Sequence, residues 1–236
     1  MLRIDNLTKT YAGGKRAVDG LSIHVQKGDL FGFIGHNGAG KTTAIRAAVG
    51  VLDFNGGEIY IKGKSVKADP VACKRVIAYI PDNPDIYEHM TGIQYLTFMA
   101  DVYGVARKER LERTEKYAKM FEMDRALGDL AGTYSHGMKQ KLAIIGALIH
   151  APELLVLDEP FVGLDPKAAH TLKVVMGDIC GGGGAIFFST HVLEVAEKLC
   201  NKVAIIRDGK LVVQGETNAV RGDNSLEEVF LELIDA

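Results

Sequence analysis

The sequence predicts an α/β fold with three parts: a parallel sheet covered by helices, an antiparallel β subdomain early in the chain, and an inserted helical subdomain. Three patterns point to it. In the first third, apolar and polar residues alternate with period two, as in strands with one solvated face. From Thr91 to about Leu130 the apolar spacing becomes helical and the charge density rises. From Lys139 onward, short continuous apolar runs alternate with helical stretches, as parallel strands buried on both faces require.

Leu2-Arg3-Ile4-Asp5-Asn6-Leu7 and Leu21-Ser22-Ile23-His24-Val25 are the alternating, half-buried strands. Lys27-Gly28-Asp29 is a turn leading into Leu30-Phe31-Gly32-Phe33-Ile34, whose apolar run predicts a buried strand. A glycine-rich stretch follows, then a helix from Thr42 to about Val49. Gly57-Glu58-Ile59-Tyr60-Ile61 and Val76-Ile77-Ala78-Tyr79-Ile80 are further strands. In the helical segment, Ile93, Leu96, Met99 and Ala100 fall on one face, and residues 107–125 are highly charged.

After Lys139 the pattern gives a helix, the strand Leu154-Leu155-Val156-Leu157, a helix over 166–180, and the strand Ala185-Ile186-Phe187-Phe188. A helix over 191–200 and the strand Val203-Ala204-Ile205-Ile206 complete the alternation. Arg207-Asp208-Gly209-Lys210 reads as a hairpin turn, and two short helices follow. The four glycines Gly181 to Gly184 read as a flexible connector. Residues 1–236 are expected to form one domain, with 1–90 and 135–236 as the core and its antiparallel β subdomain, and about 91–134 as the helical subdomain.

Basic and acidic side chains nearly cancel, 28 against 30, for a net charge of −2, so the sequence carries no basic footprint for nucleic acid. Cys73, Cys180 and Cys200 lie far apart with no C-x-x-C pair, the usage of ordinary reduced thiols. No basic-then-apolar leader opens the sequence. The longest apolar run, Leu142 to Ile149, is far short of the roughly 20 residues that span a bilayer, so any membrane role is expected to come through a partner.

Gly35-His36-Asn37-Gly38-Ala39-Gly40-Lys41-Thr42, followed by Thr43, fits G-x-x-x-x-G-K-[ST], the P-loop. It leaves a buried-strand pattern and opens a helix, which a glycine-rich surface turn has no reason to do. The glycines let backbone N–H groups approach phosphates, the helix start adds its dipole, and Lys41 adds a full charge near the β- and γ-phosphates. The Thr42 hydroxyl can ligate Mg2+. A P-loop NTPase core that binds a nucleotide with Mg2+ is therefore expected.

Leu154-Leu155-Val156-Leu157-Asp158-Glu159-Pro160 delivers two acids at the carboxyl end of a strand, where open α/β sheets bind ligands. By themselves such acids more often cap a helix. Paired with a P-loop, Asp158 is the expected Mg2+ partner of Thr42, and Glu159 the group that polarises the attacking water.

Tyr134-Ser135-His136-Gly137-Met138-Lys139-Gln140-Lys141-Leu142 is a second candidate phosphate-binding helix start. Ser135 is at the N-cap, Gly137 permits close approach, and Met138, Leu142, Ile145 and Ile149 anchor the helix. The stretch resembles the signature Leu-Ser-Gly-Gly-Gln of ATP-binding-cassette (ABC) ATPases, with Tyr134, His136 and Met138 replacing Leu, Gly and Gln. The other elements of that family follow in order. Tyr11 resembles the aromatic residue that stacks on adenine. Phe161-Val162-Gly163-Leu164-Asp165 resembles the D-loop, and Ser189-Thr190-His191 the H-loop, whose histidine contacts the γ-phosphate. One departure stands out. In Ile80-Pro81-Asp82-Asn83-Pro84, Asp82 holds the position of the family's Q-loop Gln, as either a plain turn residue or a carboxylate reaching Mg2+ or its water.

The resemblance implies an ATP-hydrolysing transporter subunit that dimerises on ATP. Each ATP would touch the P-loop of one cassette and the Ser135 segment of the other, in a homodimer or with a paired cassette. It further implies a polytopic membrane protein as partner, reached through a groove beside Asp82, and a peripheral place at the cytoplasmic face of the cell membrane. The tail Ser225-Leu226-Glu227-Glu228-Val229-Phe230 resembles that of single-cassette bacterial exporters of the multidrug and antibiotic-resistance branch. The alternative is a nontransport ABC ATPase acting on a cytosolic assembly or ribosome, which the net charge disfavours.

Overall fold

A computed structural model describes residues 1–235, with side chains to residue 233. The first sheet is antiparallel: β1 (Leu2–Thr10) pairs with β2 (Arg16–Val25) on one side and with β4 (Gly56–Ile61) on the other, and β5 (Lys64–Ser65) forms an edge beside β4. Between them in sequence come β3 (Leu30–Ile34) and α1 (Lys41–Ala48). A short helix the sequence pattern had not disclosed, α2 (Pro70–Val76), precedes β6 (Ile77–Ile80). The helical segment holds α3 (Gly92–Val102) and α4 (Arg107–Met120), and its two ends meet in a bridge between Thr91 and Leu130. Thr91 starts α3 with a reciprocal cap: its hydroxyl accepts from Gln94 N, and Gln94 Oε1 accepts from Thr91 N.

The rest of the chain alternates as expected: α5 (His136–Leu148), β7 (Leu154–Asp158), α6 (Pro166–Gly181), β8 (Ala185–Thr190), α7 (Leu193–Leu199), β9 (Lys202–Arg207), β10 (Lys210–Glu216), α8 (Thr217–Arg221) and α9 (Leu226–Asp235). The large sheet has the order β10-β9-β3-β8-β7-β6, parallel throughout except for β10, which returns from β9 through the Asp208-Gly209 turn. This is the α/β architecture the apolar runs called for. Among the described residues, no helix is long and apolar enough to cross a membrane.

Strand alternation splits the core in two. Phe31, Phe33, Val156, Phe187 and Ile206 point toward α1 and the antiparallel sheet, with Phe187 ring centroids 5.8 and 5.5 Å from Phe31 and Phe33. Leu155, Leu157, Ile186, Phe188 and Ile205 point the other way, onto α5, α6 and α7. Leu142, Ile145 and Ile149 are fully buried there and Met138 packs partly. Each such aliphatic side chain contributes about 1.5–3 kcal/mol, which fixes the start of α5 in place. Gly181 to Gly184 are not a loose connector. The glycines close the end of α6 through bonds from Gly182 N, Gly183 N and Gly184 N to Asp178, Cys180 and Ile179 carbonyls, and Gly28 N donates to Gly184 O.

Candidate nucleotide site

The loop from β3 to α1 is shaped by its glycines. Gly40 has φ 106, and a Cβ there would sit 2.3 Å from Ala17 O, so no other residue fits without moving β2. The β9–β10 turn clamps the loop from outside, since Gly209 N donates to Ala39 O at 2.9 Å while Asp19 N donates to Gly209 O at 2.8 Å. No side chain caps α1. Its first N–H groups are therefore left for an anion, with the helix dipole behind them. Gly35 and Ala39 are buried under the loop, and His36, Asn37, Gly38, Gly40, Lys41, Thr42 and Thr43 line a cleft of about 460 Å³.

Lys41 is only 6% exposed. Its ammonium donates to Gly35 O at 2.6 Å and His36 O at 3.3 Å, and lies 3.4 Å from Glu159 Oε1. That last contact is electrostatic, because Glu159 Oε1 makes no hydrogen bond. Glu159 Oε2 lies 3.0 Å from His191 Nδ1, and His191 N also donates toward it at 3.4 Å. His191 stands just before α7, which begins at Leu193 rather than at 191 as expected, and its ring reaches back to Glu159. Glu159 itself has φ 48, a left-handed backbone at a non-glycine residue. Such strain persists only where the surroundings impose it, and it clusters at functional sites.

Asp158, at the end of β7, is 1% exposed. Its Oδ1 accepts from Ser189 Oγ at 2.5 Å, and the same hydroxyl accepts from Glu159 N at 3.0 Å. Ser189 thus holds both acids in register, a role sequence reasoning missed. The polar Ser189-Thr190 end of an otherwise apolar β8 was the available signal. Asp158 Oδ2 is buried with no hydrogen-bond partner. An orphaned buried carboxylate oxygen at the carboxyl end of β7, on the same sheet that delivers Thr42 after β3, fits a divalent cation. Among the described residues no three His, Cys, Asp or Glu side chains group to hold a metal by themselves. Mg2+ suits such a place, being commonly bound by one or two carboxylates together with substrate phosphates.

Asp82 also lines the cleft, exposed, just beyond β6. Nearby Tyr79 has its phenol pushed up to about 12, by burial first and then by the carboxylates of Asp158 and, more weakly, Asp82. Tyr11 forms the cleft wall beyond α1, 41% exposed, its hydroxyl 3.2 Å from Thr43 Oγ1 and Lys9 Nζ 5.3 Å over its ring. Lys15 and Ala17, which sequence reasoning passed over, complete this wall. Ser135 and Gly137 are elsewhere: no residue lining the cleft comes from the start of α5. Ser135 caps that helix by accepting from Met138 N at 3.3 Å. The helix start rests on the D-loop, where a Cβ on Gly163 would lie 2.6 Å from the His136 ring, and Lys141 pairs with Asp165 at 2.6 Å.

The family model described as ABC transporter matches residues 18–162, a span that includes the P-loop, Asp82, the Ser135 segment, Asp158 and Glu159. The chain is 33% identical over 238 residues to the ABC-type transporter ATP-binding protein EcsA of Bacillus subtilis (strain 168), covering 99% of this chain and 96% of that protein. It is 36% identical to the bacitracin transport ATP-binding protein BcrA of Bacillus licheniformis, over 90% of this chain and 68% of that protein. A solved ATP-binding subunit of an ABC transporter superposes with a TM-score of 0.95 at 33% identity, over 99% of both chains. A cleft that presents a buried lysine, a helix start and the strand-end acid Glu159 to one ligand suits such subunits, and the chain belongs to the ABC transporter family as one of its ATP-hydrolysing, ATP-binding subunits.

Proposed function

We propose that this subunit hydrolyses ATP between two cassettes and drives transport through a polytopic membrane protein at the cytoplasmic face of the cell membrane. The observation that carries the pairing is the separation of the two anion sites. The P-loop opens on one cleft, and Ser135 and Gly137 do not line it, so a second cassette is the natural source of a signature segment for the bound phosphates. The partner cassette is read as a second copy of this chain.

Within each cleft the N–H groups of the loop, Lys41 and Thr43 hold the phosphates, and Tyr11 stacks on the base. Thr42 and Asp158 would hold Mg2+, with Asp82 reaching the ion or its water; the ion supplies charge neutralisation for the phosphates. Glu159 accepts the proton of the attacking water, and His191, bonded to it, fixes its orientation and faces the γ-phosphate. The membrane partner is read into a groove of about 220 Å³ between β6 and the helical segment, where Pro81, Pro84, Tyr95 and Met99 meet the polar Asp85 and His150. The relatedness to a bacitracin transport ATP-binding protein favours the antibiotic-resistance branch that the tail resembles.

The test of pairing is ATP-dependent mass in light scattering. Glu159→Gln, which binds ATP without cutting it, is expected to run as a dimer with ATP and a monomer without. Adding Ser135→Arg, at an exposed residue whose lost cap costs only about 1 kcal/mol, is expected to restore the monomer while ADP still binds. A monomer at saturating ATP in the single variant, or a dimer in the double variant, refutes the arrangement.

A further inference from the structure

The D-loop runs from the strand-end acids to the start of α6 and rests on the start of α5 without a backbone bond. Among the described residues, no main-chain hydrogen bond joins residues 161–165 to residues 135–142. Gln140, four residues after His136 and so on the same face of α5, is fully buried with neither amide atom bonded. One ion pair crosses, Lys141 to Asp165, and the Asp165 side chain is 48% exposed. What remains is packing around Gly163. Its φ is 80, and a Cβ there would lie 2.6 Å from Cδ2 and 2.9 Å from Nε2 of the His136 ring. A Cβ on Gly137 would in turn lie 2.9 Å from Gly163 O. Gly163 therefore sits against both an imidazole and a bare helix start. His136 makes no hydrogen bond or ion pair among the described residues, so its ring acts on the D-loop by contact alone.

From Gly163 the chain leads directly back to Glu159. Val162 N donates to Glu159 O at 3.2 Å and Leu164 N to Phe161 O at 3.4 Å, so residues 159–164 fold as consecutive turns. Glu159 N is bonded to Ser189 Oγ at 3.0 Å. The left-handed backbone of Glu159 is thus held by β8 on its amide side and by the D-loop on its carbonyl side. We propose that His136 is a positioning residue for hydrolysis: its ring seats Gly163, and through the Val162–Glu159 bond that seat fixes the carboxylate aimed at the attacking water. This rests on the reading of Glu159 as the base. His136 stands where the resembled signature has Gly, and a glycine there would leave the seat empty, with Gly137 and a partly exposed ion pair to hold the D-loop. Misplacing a reacting group by about 1 Å can cost roughly 100-fold in rate, and a seat that is loosened rather than lost places the effect nearer roughly tenfold. The consequence is that the helix start bearing Ser135 and the base of the chain's own cleft are joined through one imidazole.

The test is steady-state ATP hydrolysis and calorimetric ADP binding, both with Mg2+, on the full chain and its His136→Ala and His136→Phe variants. Alanine removes the ring at an exposed first helical position and favours the helix, so the fold is expected to survive. His136→Ala is expected to lower kcat roughly tenfold while ADP affinity stays within about twofold of wild type, since no residue of α5 lines the cleft. His136→Phe fills the seat without a ring nitrogen and is expected to recover most of the lost rate. Beside Glu159→Gln, His136→Ala is expected to change the residual rate less than about twofold, because the group it positions is gone. Wild-type kcat in His136→Ala overturns the proposal. So does a parallel loss of ADP affinity, which would make the ring a general support of the fold. A His136→Phe variant as slow as His136→Ala also overturns it, by giving the role to a ring nitrogen, as does a tenfold loss that persists beside Glu159→Gln. Undiminished turnover in Glu159→Gln alone is a separate failure: it removes the base itself, whatever the His136 variants do.

Discussion

Replacing Glu159 by Gln keeps the shape of the side chain and removes one charge, and the structure sets opposite consequences for the empty and the filled site. Lys41 and Glu159 are 3.4 Å apart with side chains 6% and 14% exposed. At an effective dielectric near 20, their attraction is about 5 kcal/mol before desolvation is subtracted. Removing one partner of a buried pair strands the other, at roughly 3–5 kcal/mol when nothing else is bonded to it. Lys41 keeps its bonds to the Gly35 and His36 carbonyls, so the empty variant is expected to lose less, about 2 kcal/mol. For a domain of this size that lowers Tm by roughly 4–8 °C. When ADP enters, its phosphates become the anion Lys41 lacks, and the variant should gain more from the ligand than wild type does. Turnover should fall about 10²–10⁴-fold, the usual worth of a positioned base. The assay is thermal unfolding of both proteins with and without ADP, beside steady-state ATP hydrolysis. An equal ADP shift in the two proteins would show that Lys41 and Glu159 do not pair in solution. Undiminished turnover would remove Glu159 as the base and turn attention to His191.

Three further outcomes are expected. Lys41→Ala should weaken ATP binding roughly 10–150-fold, the worth of a charged hydrogen bond, while circular dichroism shows the fold intact; tight binding by a folded variant would refute the cradle. Asp82→Ala should raise the Mg2+ concentration for half-maximal hydrolysis, with Asp82→Gln behaving as the rest of the family does; an unchanged Mg2+ dependence in both makes Asp82 a turn residue. Stability should decline in acid through His150, whose Nε2–H donates to Ile77 O at 3.0 Å while its buried Nδ1 has no partner. Burial lowers its pKa below the ordinary 6.5, opposed by the bond to Ile77 and reinforced by the nearby Arg113. The unfolded chain then binds the proton more readily, so the contribution is complete above pH 6.5 and is lost as pH falls toward the depressed folded value. Tm measured from pH 7.5 to 5 should fall less in His150→Gln than in wild type, and parallel curves would clear His150.

The parallel strands were readable because burial on both faces leaves continuous apolar runs, and the P-loop because a phosphate cradle demands glycines at fixed spacing. Helix α2 was not, since only Cys73 of its seven residues is buried and no helical stripe shows. Gly181 to Gly184 misled because composition alone cannot reveal that these backbone groups are bonded to α6 and to Gly28. In the site, Asp158 and Glu159 were legible as strand-end acids. The Ser189 hydroxyl that holds them is contributed by the neighbouring strand, a pairing with no local signature. That Ser135 and Gly137 stand outside the cleft lining was equally hidden, because a capped helix start looks the same in sequence wherever in the fold it lies.

The segment after β6 connects that helix start to the cleft. Within a few residues it contributes Asp82 to the cleft, Pro81 and Pro84 to the apolar groove, and Glu88 to the start of α5. Glu88 pairs with Lys139 at 2.5 Å, and Gly132 N and Ala131 N donate to Glu88 O and Met90 O, so the strap is fastened just ahead of Ser135. The Glu88–Lys139 ion pair is exposed and worth little by itself. The backbone bonds hold the strap against the chain just ahead of α5, whose apolar face is packed in the core. On the proposed docking, a ligand at Asp82 and a partner at Pro81 and Pro84 would bear on one piece of chain, whose far end is fastened beside the Ser135 segment. Coupling between cleft, groove and signature then needs no long path through the core, because a single short segment belongs to all three.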